Sequence, residues 1–391
     1  MTSNRYSQLP IAFSLGACYP PEICWRGHSL ARRLTASVNL PVNCNVNASL
    51  GYVLQGKQQV LYPPHNKVTT HVFRGEPNMN QVKPVLLVKR DLDIPAWVQA
   101  LNQQMPALEV RIWPELGDPS EIEFALLWMP PPELFTELSN LEVIFSVGAG
   151  IDHLLACPSL PRNIPIVRMV EPGLTSGMVE YVLYNVLRFH RGMDRYDAQQ
   201  RAAHWSVLPQ ISAEARSIGI MGLGMIGQAV AELLVTMGFK VHGWSQTRKV
   251  LPGVNSYVGE AERNAFLQNT EILVAVLPST LATVGLIDAR LLARLPRGAF
   301  LINVGRGDLI REGDLLHALD REHLAGAALD VFSQEPLPVG HPFWRHPRVS
   351  ITPHVASITQ ADTAVAHVVT NIGRWQAGQT LSHVVDLEQG Y

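Results

Sequence analysis

The chain has 391 residues, with 31 Lys and Arg against 33 Asp and Glu, a formal net charge of −2 and 47% hydrophobic residues. That length allows two domains, and the charge balance gives no electrostatic footprint for nucleic acid or a membrane surface. No apolar run approaches the roughly 18–20 residues of a membrane helix, and the four cysteines lack the paired spacing of a disulfide framework or a metal site, which favours a reducing, cytoplasmic setting.

Residues 1–78 carry seven basic residues but only two acids, Glu22 and Glu76, and three of the four cysteines, Cys18, Cys24 and Cys44. No sustained helical or strand period runs through them. They read as an extension, either disordered or upstream of a true start at Met79. A targeting segment would need an Arg-rich amphipathic helix, which they lack.

Ordered pattern begins near Lys83. Apolar runs at 84–90 and 124–130, alternation at 108–113 and a glycine-terminated run at 141–150 predict strands, with a helix over 94–105. The stretch 177–205 reads as one long helix. A second series follows, with strands expected at "SIGIMG", "KVHGW", "ILVAVL", "AFLINV", "GAALDV" and "VSITP", which would make a six-stranded doubly wound sheet. A last helix near 360–377 and a tail returning to the first unit complete the pattern. The expected organisation is an α/β protein of two doubly wound parallel-sheet domains, 79–178 with 358–391 and then 179–357, facing each other across a cleft.

The second series opens on "GLGMIG", a G-x-G-x-x-G turn through Gly222, Gly224 and Gly227 between a strand-like and a helix-like run. Such a turn lets backbone approach a pyrophosphate, and the N–H groups of Met225 and Ile226 at the helix start attract it. A carboxylate that would bond the ribose of NAD is missing at the end of the next strand. Ser245 stands there, followed by Thr247, Arg248 and Lys249. Two hydroxyls and two cations suit a 2′-phosphate, so the expected cofactor is NADPH.

Three further residues stand at the carboxyl ends of later strands: Arg306 in "NVGRGDL", Glu335 in "LDVFSQEPLP" and His354 in "ITPHVASIT". Reduction of a 2-oxo acid needs a cation for the carboxylate, a hydride donor over the carbonyl carbon and a proton donor at the carbonyl oxygen. Arg306 offers a planar fork, His354 an imidazole suited to general acid–base work, and Glu335 a partner that fixes the imidazole tautomer. Trp128 and Trp344 are placed to narrow the pocket in favour of two- and three-carbon oxo acids.

From about Lys83 onward the sequence resembles the D-isomer-specific 2-hydroxyacid dehydrogenase family, nearest its glyoxylate/hydroxypyruvate reductase A branch. The stretches that carry the resemblance are "GAGID", "GLGMIG", "WSQTRK", "LPST", "NVGRGDL", "LDVFSQEPLP", "WRHPRVSITPHVASIT" and the terminal "GY". The resemblance implies a Rossmann-type cofactor domain and a flavodoxin-like substrate domain. It implies that Arg306 binds substrate, that Glu335 supports His354 as acid/base, and that the N–H groups of Ala149 and Gly150 hold the substrate carboxylate. It further implies that Asp330 contacts the nicotinamide carboxamide, that Leu277, Pro278 and Val304 line the cofactor cleft, and that Trp128 of "WMPP" faces substrate. The implied activity is NADPH-dependent reduction of glyoxylate and hydroxypyruvate to glycolate and D-glycerate. The implied assembly is a homodimer formed through the cofactor domain, with residues 190–210 as an arm. The alternatives are an NAD-linked dehydrogenase of another 2-hydroxy acid and a dinucleotide-sensing, corepressor-like binding protein.

Overall fold

The computed structural model describes residues 85–89, as backbone, and residues 93–388. The expectations for residues 1–78 and the terminal "GY" lie outside the described residues. Strands β1 (Val85–Lys89), β2 (Val110–Ile112), β3 (Phe124–Trp128), β4 (Val143–Ser146) and β5 (Ile166–Val167) form one parallel sheet in the order β2-β1-β3-β4-β5. Phe124, Ala125, Leu126 and Leu127 of β3 are all fully buried, as a parallel strand covered on both faces requires. The two-residue β5 was not expected; it is too short to show a period.

Strands β6 (Ser217–Met221), β7 (Lys240–Ser245), β8 (Val254–Val258), β9 (Ile272–Ala275), β10 (Ala299–Asn303), β11 (Leu324–Leu329) and β12 (Val349–Ile351) form a second parallel sheet, ordered β12-β11-β10-β9-β6-β7-β8. It has seven strands where six were expected. The additional strand β8, "VNSYV", lies at the sheet edge and is only partly buried, so its Asn255 and Ser256 hide it from an apolar reading. Strand order reverses between β1 and β3 in the first sheet and between β6 and β9 in the second. Ligands of open α/β sheets bind beyond the carboxyl ends of the strands at such reversals.

The expected single helix over 177–205 is two. The first, Pro172–His190, starts on Glu171, whose carboxylate accepts from the N–H groups of Gly173 and Leu174 at 2.6 and 2.5 Å. It ends before Gly192, whose φ of +66° breaks the helix, and a second runs over Met193–Arg201. The longer helix joins two cores: Leu174 packs with the first sheet's residues, whereas Val182, Val186 and Phe189 pack with those of β6 and β9. The expected last helix forms at Ala361–Gln376. The tail after it returns to the first sheet, where the Val385 N–H donates to the Ile166 carbonyl at 2.8 Å and Val385 joins that sheet's second core. Among the described residues no helix is long and apolar enough to cross a membrane.

Candidate active site

The glycine turn after β6 is shaped by close approach. A methyl group on Gly227 would lie 1.9 Å from the Gly222 carbonyl oxygen, and one on Gly222, at φ +111°, would lie 2.8 Å from the Val276 oxygen. Gly224 is different: no atom lies within 4 Å of the place a methyl would take. Packing therefore does not demand glycine there, whereas a ligand approaching the backbone would. Gly224 caps the twelve-residue helix Met225–Thr236 without a side-chain bond, so its first N–H groups, those of Met225 and Ile226 included, are available to an anion. Leu277 meets this turn, its side chain 3.2 Å from the methyl position on Gly222. Val304 is a core residue, 4% exposed, so only its backbone can line the cleft. These residues fit the phosphates of a dinucleotide.

At the end of β7 two of the four expected 2′-phosphate ligands, Ser245 and Arg248, engage the protein itself. The Ser245 hydroxyl donates to the Thr247 carbonyl at 2.8 Å. Arg248 donates through Nη1 to the Ser256 carbonyl on β8 at 2.9 Å and pairs through Nη2 with Glu262 at 2.5 Å. Glu262 also accepts the Val258 N–H, at 2.9 Å. Among the described residues, the side chains of Thr247 and Lys249 make no hydrogen bond or ion pair.

After β4 the chain turns sharply at Gly148–Gly150. The fully buried Ser146 hydroxyl lies 2.9 Å from the Gly148 carbonyl and 3.1 Å from that of Gly150, which draws these carbonyls inward. The N–H groups of Ala149 and Gly150 have no acceptor among the described residues. Trp128, at the end of β3, flanks this loop: a methyl on Gly148 would meet its ring at 2.6 Å. Its other neighbour is the His153 ring, with centroids 4.3 Å apart. Burial, with the Arg306 charge adding to it, pushes the His153 imidazole down to about 4 although Asp152 opposes the shift, so His153 is neutral at neutral pH.

Arg306 follows β10 and faces the same loop from the opposite sheet. Its Nε donates to Asp152 Oδ1 at 2.8 Å and its Nη1 to the Gly305 carbonyl at 2.8 Å. Its Nη2 lies 1.6 Å from where a methyl on Gly150 would be. Buried Asn303 sets the turn, donating to the Arg306 carbonyl at 2.9 Å and accepting from the Gly305 N–H at 3.2 Å. Burial tends to raise the Asp152 carboxyl, but the Arg306 charge and hydrogen bond outweigh it and hold the group below the usual carboxylate range.

His354 sits beyond β12 with φ +55°, a left-handed conformation uncommon outside glycine. Asp330 holds it there. The Asp330 carbonyl accepts the His354 N–H at 2.8 Å, and its carboxylate accepts from the Thr352 hydroxyl and the Val355 and Ala356 N–H groups at 2.7, 2.9 and 2.9 Å. Asp330 is 1% exposed. It thus acts on the His354 turn, while the expected contact to a carboxamide would have to share these bonds. Tyr181 donates to Thr352 at 2.6 Å and ties the long helix to the network.

His354 Nδ1 lies 2.8 Å from Glu335 Oε2, and Glu335 Oε1 accepts the Phe332 N–H at 2.9 Å. Burial works to raise the Glu335 carboxyl, but the hydrogen bonds from His354 and Phe332 prevail and lower it. An ionised Glu335 places the imidazole proton on Nδ1 and leaves Nε2 as the working nitrogen. Trp344 is half-exposed, with its Nε1 held by the Pro338 carbonyl at 2.9 Å. The structure thus brings Trp128, Ala149, Gly150 and Arg306 around one loop and joins Glu335 to His354. Sequence reasoning missed Ser146, Asn303 and Asp152. Asp152 ends the motif "GAGID", but nothing in sequence signals a partner 154 residues away.

Sheet order and the glycine turn define a two-domain α/β protein with a dinucleotide-type turn. The model of the D-isomer specific 2-hydroxyacid dehydrogenase NAD binding domain matches residues 183–356. A glyoxylate/hydroxypyruvate reductase A of Salmonella paratyphi B is 43% identical over 300 residues, 75% of this chain and 96% of that protein. A D-isomer specific 2-hydroxyacid dehydrogenase of Xanthobacter autotrophicus Py2, solved with NADPH and MES, superposes with a TM-score of 0.77 at 39% identity, covering 80% of this chain and all (100%) of that one. An NADPH-dependent glyoxylate/hydroxypyruvate reductase of Sinorhizobium meliloti, solved with NADP and sulfate, gives 0.74 at 40% identity, covering 79% and 100%. The chain belongs to the D-isomer specific 2-hydroxyacid dehydrogenase family.

Proposed function

We propose that this chain is an NADPH-dependent reductase of small 2-oxo acids, glyoxylate and hydroxypyruvate first, yielding glycolate and D-glycerate. The observation that carries the reading is the meeting of Arg306 Nη2 with Gly150, beside two N–H groups without acceptors, because a carboxylate is the ligand that a guanidinium and backbone donors share. The relatives named for this reaction and the basic pair after Ser245 support the cofactor and substrate.

Ala149 and Gly150 bind the substrate carboxylate through backbone, and Arg306 binds it and polarises the 2-oxo group. His354 delivers a proton from Nε2 to the developing alkoxide, and ionised Glu335 stabilises the imidazolium from the Nδ1 side. Asp330 holds the His354 turn. Trp128 and Trp344 limit the chain length of the acid. Gly222, Gly224, Met225, Ile226 and Gly227 hold the pyrophosphate, and Leu277, Pro278 and Val304 line the cleft. Ser245, Thr247, Arg248 and Lys249 receive the 2′-phosphate once Arg248 shares or leaves Glu262. When bound, the nicotinamide supplies the hydride to C2. Residues 79–178 with 358–391 serve as the substrate half and 179–357 as the dinucleotide half.

The working form is a cytoplasmic homodimer. Exposed Trp205, Val207 and Ile211 offer an apolar arm to a second copy. The test is the initial rate of reduced-nicotinamide absorbance loss with glyoxylate, hydroxypyruvate and pyruvate, each with NADPH and NADH. Fast turnover preferring NADPH is expected. Preference for NADH would overturn the cofactor assignment, and dinucleotide binding without turnover would replace the reductase by a sensor.

A further inference from the structure

The Arg306 guanidinium has three nitrogens, and the protein uses two of them. Nε is bonded to Asp152 and Nη1 to the Gly305 carbonyl, each at 2.8 Å. Nη2 alone has no partner among the described residues, and it points at the Gly150 backbone. A free arginine side chain samples many rotamers, and ordering it on substrate binding costs conformational entropy. Here that cost is met before substrate arrives.

Asp152 opens the short helix Asp152–Leu155 that follows β4, whereas Arg306 follows β10 of the other sheet. The pair therefore joins the two halves at the site. A carboxylate this close to a substrate anion would repel it if left unpaired. Bonding to Nε turns the charge into an anchor and leaves Nη2 for the substrate. The pair is only partly exposed, with Arg306 and Asp152 side chains at 20% and 41%, so solvent screens it less than a surface pair.

We propose that Asp152 is a positioning residue for Arg306. It locks the guanidinium across the cleft so that Nη2 meets the carboxylate of the 2-oxo acid beside the Ala149 and Gly150 N–H groups. Asp152 touches neither the reacting atoms nor the cofactor; it acts through Arg306. The proposal rests on the reductase reading above.

The test compares Asp152→Ala, Asp152→Asn and wild type, and repeats the Asp152→Ala change in an Arg306→Lys background. Asp152→Ala should raise KM for glyoxylate roughly tenfold or more and lower kcat several-fold, with KM for NADPH within about twofold, since misplacing a binding group acts on the substrate it holds. Asp152→Asn keeps an Oδ1 acceptor and should recover much of the loss. In the Arg306→Lys background Asp152→Ala should add little, because lysine has no Nε edge to hold; this non-additivity marks action through Arg306. Full additivity, a lowered KM for glyoxylate, or a fall in kcat at unchanged KM matched by a lower active-site titre would each overturn the proposal. A wild-type enzyme that reduces no 2-oxo acid would remove the reductase reading and the proposal together. An active wild type with an unaffected Asp152→Ala would remove the proposal alone.

Discussion

Along the carboxyl edge of the seven-stranded sheet, the end that holds Arg306 and His354 and the end that holds Ser245 to Lys249 are built on opposite principles. At the first, hydrogen bonds to the protein fix each side chain and leave one nitrogen without a partner among the described residues: Nη2 of Arg306 and Nε2 of His354. At the second, two of the four side chains are turned back on the protein, Ser245 to Thr247 and Arg248 to Glu262 and Ser256. A preorganised site spends nothing on rearrangement when charge develops. A site that must exchange partners binds by the difference between old and new bonds. The reacting end should therefore be intolerant of change, and the adenosine end tunable.

The harshest way to break this contrast is His354→Ala. Turnover should fall about a hundredfold or more, while NADPH affinity, followed by fluorescence titration, stays near wild type. A weakened NADPH affinity with normal turnover would remove His354 from the reacting end. Next comes Gly150→Ala, whose methyl would collide with Arg306 Nη2; kcat/KM for glyoxylate should drop roughly tenfold or more, because displacement of a binding group by about 1 Å has such consequences. Unchanged kinetics would show that the guanidinium is not confined.

Glu335 offers a pH reading. Burial opposes ionisation, but bonds from His354 and the Phe332 N–H hold its carboxyl below the usual glutamate range. Its contribution to stability is therefore full above that ordinary range and lost as pH falls through the depressed value. In thermal melts across pH, Glu335→Gln should lie below wild type near neutrality and converge with it in acid. A constant gap would contradict the assigned ionisation.

The adenosine end is sharpened by replacing Arg248 and Lys249 with Ala. KM for NADPH should rise roughly tenfold, as for loss of charge-assisted bonds, with KM for NADH nearly unchanged; equal rises would break the 2′-phosphate assignment. The smallest effect is expected for Tyr181→Phe, which removes one hydrogen bond from the Thr352–Asp330 network at a cost of about 1 kcal/mol. Melting should fall by a few degrees with kcat close to wild type.

Length, patterning and motif order determined most of this protein: the alternation of strands and helices, most strands of both sheets, the glycine turn, and the placing of Arg306, Glu335 and His354 beyond strand ends. These were legible because they depend on local rules. A buried parallel strand must be continuously apolar, and a tight phosphate-binding turn must be glycine-rich. Strand β8 escaped because an edge strand may be polar, and the break at Gly192 escaped because a helical period continues on both sides of it. Which atom of each side chain is left for chemistry was decided only in three dimensions. Asp152 reaches Arg306 across 154 residues of chain, Asp330 spends its carboxylate on the His354 turn, and Arg248 shares its fork with Glu262. Hydrogen-bond partners are chosen by proximity after the chain has folded, and separation along the sequence carries no record of that choice.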